Sequence, residues 1–282
     1  MKEKETIEYL DLKHLVSFRN HPFKLRDGEE KEQLLKSIKA QGTIEPLIVR
    51  PLSESEYEVI SGHRRMEICR KLGIGKLPVI VRNLTDEQAV SMMVDANLHR
   101  ENILPSERAF AYKMKWEAAK KTEKALSQPA TRMRNDDVIA QSFGIGKDTL
   151  HRYIRLTYLI PELLEMIDEG RISLTPAVEL SYLTHEEQHL LLNEIEYADA
   201  TPSLSQAQRL RDFSRQGRLT ADVIFAVMSE EKANQKEQIR FPKEELQKYF
   251  PKSYTGKDMQ NTILKLLEKW QRQRERNARE ER

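Results

Sequence analysis

Runs with strand character are confined to the first hundred residues of this 282-residue chain. Residues 44–52 and 77–84 are β-branched, each with a proline near its start, and Tyr57, Val59 and Ser61 alternate with Glu58 and Ile60. Between these runs, residues 30–41 set Leu34, Leu35 and Ile38 on one helical face and stop at Gly42, while residues 64–72 stop at Gly73. Thr85 and Gln88 have the capping-box spacing that opens a further helix. Beyond Arg100 strand signals almost vanish. The distribution calls for an α+β N-terminal domain followed by an all-α region.

Helices are predicted over residues 106–121, 136–143, 147–158, 161–169, 176–183, 186–197 and 205–216. Thr175 before Pro176, and Thr184 before Glu187, supply helix-start chemistry. Residues 122–137 are polar, contain Pro129 and are predicted to be a loop. Residues 229–238 lack a large apolar side chain and are expected to be a linker. The expected organisation is an α+β domain over 1–103, a helical domain over 104–228, and a small C-terminal α(+β) segment over 239–282. In that last segment Met259, Ile263, Leu266, Leu267 and Trp270 form one stripe. A segment of about 50 residues buries too little by itself, so the stripe is expected to pair with another chain or with the preceding helices, with a homodimer favoured. The Arg-rich residues 272–282 leave a solvated end and a DNA-touching tail both open.

A single cysteine, Cys69, excludes a disulfide framework and a cysteine-based zinc site. No apolar run approaches the roughly 20 residues of a membrane span, and Met-Lys-Glu-Lys-Glu-Thr does not resemble a signal peptide. The expectation is a soluble cytoplasmic protein with no membrane partner. Its net charge of +2 is unevenly placed. Residues 97–155 carry a Lys/Arg excess, whereas residues 161–200 hold ten acidic side chains against Arg171. Local sign draws a polyanion more than total charge does.

Two short basic motifs lie between strand and helix signals: Ser61-Gly62-His63-Arg64-Arg65 and Asn97-Leu98-His99-Arg100-Glu101-Asn102. In the first, a strand ends at a glycine and a helix opens with two guanidinium groups. Unpaired amides and the helix dipole favour an anion there, Gly62 permits close backbone approach, and His63 adds a donor. An exposed helix start with ordinary surface arginines explains the same five residues. Gly73-Ile74-Gly75-Lys76 and Gly144-Ile145-Gly146-Lys147 are not P-loops, because Arg70 and Gln141 stand where the first glycine is required.

The most specific signal is a helix-turn-helix over residues 137–156. Ala140 is small where two helices cross, Gly144 permits the turn, and Ile139, Phe143, Ile145, Leu150 and Tyr153 are apolar where the pair buries. Lys147, Thr149, His151, Arg152 and Arg155 are left for the outer face, as a helix lying in the major groove of double-stranded DNA requires. His185-Glu186-Glu187-Gln188-His189 matches the zincin pattern, but no third ligand is evident, and an acidic capped helix accounts for it.

Taken in order, these motifs resemble the ParB-type partition proteins, specifically divergent members carried by mobile elements, over roughly residues 11–183. His21-Pro22-Phe23-Lys24-Leu25-Arg26 is similar to the family's N-P-x-Q-P-R box, Gly62-His63-Arg64-Arg65 to G-E-R-R, and Asn97 to Asn102, running into Pro105-Ser106-Glu107, to E-N-L-Q-R-E-x-L-x-P-x-E. The resemblance implies a sulfiredoxin-like α+β domain that binds CTP with Mg2+ through Arg26, Gly62, His63, Arg64, Arg65, Asn97 and Arg100, Asn97 being the implied metal contact. It further implies a palindromic centromere-like DNA site, a homodimer that closes as a nucleotide-dependent clamp, a ParA-type Walker ATPase partner, and a nucleoid- or plasmid-associated location. Where the family pattern has a metal-binding glutamate this chain has Ala96, and His63 replaces a second glutamate. Loss of a carboxylate weakens metal-assisted hydrolysis more than nucleotide binding. The expectation is a partition protein with at most weak CTPase activity and no catalytic residue of its own. The alternative is a helix-turn-helix regulator of a mobile element without nucleotide switching. Sulfiredoxin chemistry lacks its nucleophilic cysteine, and proteolysis lacks a metal site.

Overall fold

The computed structural model describes residues 6–23, 28–41, 45–98, 103–126, 135–230, 246–251 and 253–280. The chain falls into two compact units, Met1–Glu230 and Glu231–Arg282. In the first unit β1 (Ile7–Asp11), β2 (Leu15–Ser17), β3 (Leu47–Pro51), β4 (Tyr57–Ser61) and β5 (Lys76–Val81) form one mixed sheet in the order β1-β5-β3-β4-β2. β1 runs antiparallel to β5, β3 parallel to β5 and antiparallel to β4, and β2 parallel to β4.

Side-chain alternation along these strands assigns the helices to two faces. Leu47, Val49 and Val59 pack with Ile38 of α1 (Glu29–Gln41) and with Met66, Ile68 and Cys69 of α2 (His63–Lys71). Ile60, one residue out of that phase, packs with Ala89, Met93 and Val94 of α3 (Asp86–Leu98) and with Phe18 and Phe23. Such burial contributes roughly 1.5 to 3 kcal/mol per large aliphatic side chain. Glu58 shares Ile60's phase, yet it is buried, because Arg50 of β3 meets it at 2.7 Å. The Thr85–Gln88 capping box is present, with Thr85 Oγ1 accepting from the Gln88 amide at 3.3 Å and Gln88 Oε1 from the Thr85 amide at 3.0 Å.

α4 (Pro105–Leu126) packs on α3 and runs five residues into the stretch expected to be a loop. Residues 127–134 of that stretch lie outside the described residues. At the start of α4, Leu104 N–H donates to Glu107 Oε2 at 3.0 Å and Ser106 N–H to Asp168 Oδ1 at 2.9 Å. Beyond it come α5 (Asn135–Ser142), α6 (Lys147–Leu156), α7 (Pro161–Asp168), α8 (Leu174–Leu180), α9 (His185–Ala198), α10 (Leu204–Arg215) and α11 (Ala221–Met228). Leu156, Leu163, Leu180, Leu191, Ile195, Leu210 and Ile224 are the centre of the core that α6 to α11 share. α8 begins two residues before the expected Pro176, with Ser173 at its N-cap. Thr175 lies inside the helix, where its hydroxyl accepts from Arg152. The fold is thus the α+β domain followed by helices that the strand distribution called for.

Of the second unit, the described part centres on α12 (Gly256–Glu280), the helix of the apolar stripe. Met259 is buried, whereas Leu264, Leu266, Leu267 and Trp270 are exposed. The expected linker at 229–238 falls outside the described residues from 231 onward. Among the described residues no helix is long and apolar enough to cross a membrane.

Candidate functional site

Two constellations collect the residues singled out above. The first is a cleft of about 200 Å³ where β4 hands over to α2, lined by Ser61, Gly62, His63, Arg64 and Arg65, with Ala96 and Asn97 of α3 and Glu45 opposite. Gly62 precedes the first turn of α2 at φ 105°, and a Cβ there would stand 2.8 Å from Leu47 Cγ. Both facts demand glycine, which brings backbone to the cleft wall. Five of the seven residues expected to hold nucleotide therefore meet in one cleft. The other two, Arg26 and Arg100, lie outside the described residues, as does His99.

The chemistry of each is specific. His63 is buried and its Nε2 accepts the Phe18 amide proton at 3.2 Å, which requires that nitrogen to be unprotonated and ties the helix start to the chain after β2. Its ring stacks obliquely on His21 with centroids 4.0 Å apart. Arg65 turns toward residues 45–46, donating to the Glu45 carbonyl at 2.5 Å and the Pro46 carbonyl at 3.3 Å, with the Glu45 carboxylate also at 3.3 Å. Burial pulls the Arg65 guanidinium below its ordinary value, against the opposing pull of Glu45. Asn97 is buried and spends Nδ2 on the Met93 carbonyl at 2.7 Å, which leaves Oδ1 for the cleft. Asp95 is turned away, bonded to Lys115 of α4 at 2.5 Å and to Ser91.

This donor set fits a phosphate. It does not fit a dedicated magnesium cage, which needs several hard oxygens. Among the described residues Ala96 offers no side-chain oxygen, Asp95 faces α4, and Glu45, the carboxylate that lines the cleft, already meets Arg65. Leu34 and Glu45 are cleft residues that the motifs did not announce, since both come to the cleft from parts of the chain distant in sequence from Gly62.

The second constellation is the helix-turn-helix. Gly144 turns the chain at φ 68°, and the Ile145 amide donates back to the Ala140 carbonyl at 3.0 Å. Ile139, Ala140, Leu150 and Ile154 are buried together with Tyr112 of α4, whose ring stacks on Phe143 at 4.3 Å. α4 is thus the third wall of the motif. Trp116 of α4 donates from Nε1 to Asp136 Oδ1 at 2.8 Å, and His151 Nε2 lies 3.1 Å from Asp136 Oδ2.

The side chains expected on the outer face of α6 each have their own surroundings. Lys147 and Thr149 are half-buried in its first turn. Arg152 donates to Thr175 Oγ1 of α8 at 2.5 Å. Arg155 donates from Nε to Ser181 Oγ at 3.0 Å and from Nη2 to the Ser181 carbonyl at 2.7 Å, and the rings of Tyr158 and Tyr182 lie 4.5 and 4.0 Å from it. No local signal marks Thr175 and Ser181 as partners, because they lie 23 and 26 residues further along the chain.

At the zincin-like pattern, Thr184 and Glu187 form a capping box, His185 and His189 are exposed, and Gln188 is buried. Among the described residues, no three metal-ligating side chains group together.

Residues 1–98 match the ParB N-terminal domain family. The chain resembles the ParB family over this N-terminal part. Across 195 residues it is 32% identical to the nucleoid occlusion protein of Geobacillus sp. (strain WCH70), covering 69% of this chain and 65% of that relative, so it spans less than two thirds of the relative's length. Among solved structures, the C-terminally truncated chromosome-partitioning protein ParB of Caulobacter crescentus aligns in two complexes. With the centromeric parS site it is 22% identical, with 74% of this chain and 99% of that one covered and a TM-score of 0.41. With CTP-gamma-S it is 23% identical, with 68% and 99% covered and a TM-score of 0.31. The ParB N-terminal domain thus contains the strand-to-helix cleft, while the helix-turn-helix lies beyond it.

Proposed function

We propose that this chain is a sequence-specific DNA-binding partition protein, with α6 lying in the major groove of a palindromic site. The observation that carries the reading is the packed helix-turn-helix, whose turn glycine, small crossing residue and three-walled core hold α6 with Lys147, Thr149, His151, Arg152 and Arg155 on or beside its outer face. A recognition helix presents its N-terminal residues to base edges, which gives Lys147 and Thr149 the leading positions. A homodimer through α12 would match the two halves of a palindrome.

The cleft at Gly62 to Arg65 is proposed to hold the phosphates of CTP, supported by the amides at the start of α2, by Arg64, and by the family resemblance. CTP-dependent clamp closure and a ParA-type ATPase partner rest on that resemblance, as does a cytoplasmic location on nucleoid or plasmid DNA. Ala96 favours a second reading, a DNA-binding regulator without nucleotide switching.

One experiment separates them. The full chain is offered a random duplex library, and retention on the selected duplex is followed with and without CTP, for wild type and Arg64→Ala. Selection of an inverted repeat with CTP-dependent retention that Arg64→Ala abolishes is the expected result. Selection without any CTP response leaves the regulator. No selected sequence at moderate salt overturns both.

A further inference from the structure

We propose that the groove between α6 and α8 seats a phosphodiester of duplex DNA, with α8 holding Arg155 in place for it. This rests on the DNA-binding reading above and extends the interface beyond the helix-turn-helix to a helix that the motif does not include.

Several arginines elsewhere in the first unit are paired with carboxylates. Arg50 meets Glu58 and Asp86, Arg65 meets Glu45, Arg209 meets Glu230, and Arg211 meets Glu179 and Asp212. Arg152 and Arg155 have no carboxylate partner among the described residues; their bonds go to the neutral oxygens of Thr175 and Ser181. The groove they share is about 330 Å³, bordered by Trp116, His151, Tyr158 and Tyr182, and among the described residues no acidic side chain lines it. Asp136, close in sequence to α6, is engaged by Trp116 and His151 instead of by either arginine. Two guanidinium charges therefore sit in a partly desolvated groove with no carboxylate paired to them among the described residues. A phosphate supplies an anion, through charge-assisted bonds stronger than those to neutral oxygens.

The way Arg155 is held points to phosphate and not to a base edge. Its Nε and Nη2 serve Ser181, two tyrosine rings lie against it, and Nη1 serves no partner among the described residues. That leaves a fixed donor edge aimed by α8. Arg155 also stands in the last turn of α6, at the opposite end from the residues that reach base edges in a recognition helix. A strand leaving the major groove crosses that end with its backbone. Ser181 and Tyr182 are accordingly positioning residues that act through Arg155.

The test measures binding of the full chain to its selected duplex and to a scrambled duplex across a salt series. Arg155→Ala is expected to weaken both by the same factor and to lower the slope of log affinity against log salt by about 0.9, the value for one phosphate. Tyr182→Leu is expected to weaken both by a smaller factor and to add nothing on top of Arg155→Ala, while Tyr182→Phe, which keeps the ring, binds as wild type does. An unchanged salt slope in a folded Arg155→Ala protein reduces Arg155 to a cap on α8 and overturns the proposal. A loss confined to the selected duplex overturns it in favour of base reading. Should Arg155→Ala fail to fold, Arg155→Lys decides, because it keeps a charge but loses the fork. Several-fold weaker binding to both duplexes is then expected, and wild-type affinity overturns the proposal. A wild-type chain that selects no sequence defeats the functional reading itself, whereas selection with an unchanged Arg155→Ala slope defeats the groove alone.

Discussion

Glu58 of β4 receives both Nε and Nη2 of Arg50 from β3, each at 2.7 Å, and both side chains are about nine-tenths buried. The same carboxylate accepts the Arg19 amide at 3.2 Å, and Arg50 continues to Asp86 at the first turn of α3. Burial pulls the Arg50 guanidinium down, and its bonds to Asp86 and Glu58 outweigh that effect, so it ends above its ordinary value. A buried pair is costly to break on one side, because the surviving charge has no equivalent partner. Glu58→Ala is expected to cost about 3 to 5 kcal/mol in urea unfolding. A loss below about 1 kcal/mol, the range of exposed pairs, would show that Asp86 alone suffices for Arg50.

Gly62→Ala tests the cleft wall. The backbone there is at φ 105°, and the added methyl would stand 2.8 Å from Leu47 Cγ, an atom at the centre of the sheet's core. Left-handed backbone costs a non-glycine residue about 1 to 3 kcal/mol, and relief of the contact must move either Leu47 or the start of α2. The expected outcome is a lower Tm together with weaker CTP binding. Full stability with CTP binding lost would place the glycine's role in close approach to the ligand alone.

Much of this was legible in residue types and part was not. Gly62 and Gly144 stand where turns were expected; of the apolar set expected for the helix-turn-helix, Ile139 and Leu150 are buried with the small Ala140, whereas Phe143, Ile145 and Tyr153 are partly buried against them and Ile154 joins the core unannounced. β1 carried little signal because Ile7 and Tyr9 of this edge strand are exposed, so no buried face imposes alternation. α11 is apolar almost all round, which blurs helical and strand periods over eight residues. Glu58 reads as a solvent-facing polar residue until Arg50 is known to cover it. In the same way, the grip of α8 on Arg152 and Arg155 is a tertiary fact that no local pattern encodes.

Asp136 makes the helical part of the chain sensitive to acid. Burial raises its carboxyl, but the Trp116 hydrogen bond and the His151 and Lys120 charges lower it further, and the net shift is below the ordinary value. A carboxylate depressed in the folded state contributes stability that is complete above its unfolded value of about 3.9 and is lost as pH falls through the folded one. Asp136→Asn removes that contribution at neutral pH. The stability gap between wild type and Asp136→Asn, measured by urea unfolding, is therefore expected to narrow as pH drops below about 4. A gap that stays constant down to about pH 2 would contradict the assignment.

Met259, Ile263, Leu266 and Trp270 are spaced four, three and four residues apart along α12, the seam spacing of a coiled coil. With Leu266 and Trp270 exposed, the proposed homodimer would bury this seam. Leu266→Asp with Trp270→Glu is expected to convert a dimer to a monomer in sedimentation equilibrium, leaving the unfolding of the first unit unchanged. A wild-type chain that sediments as a monomer at tens of micromolar would remove α12 as the dimer contact.

Gln188 and His189 are neighbours in the zincin-like pattern, and they have opposite weights. Gln188 is fully buried, its Nε2 donating to the Tyr158 and Leu183 carbonyls at 3.1 and 3.0 Å and its Oε1 accepting the Ile160 amide at 2.8 Å. These bonds join the end of α6, the start of α7 and the start of α9. Gln188→Ala strands three backbone groups in the core, and each buried group left without a partner costs about 1 to 3 kcal/mol. The His189 ring is exposed, and a surface substitution away from caps and networks changes stability by about 0.5 kcal/mol or less. His189→Ala is therefore expected to unfold at the wild-type urea midpoint and to carry the same metal content, whereas Gln188→Ala shifts that midpoint clearly downward. Stoichiometric zinc in wild type that His189→Ala loses would instead make the histidines ligands and the pattern a metal site.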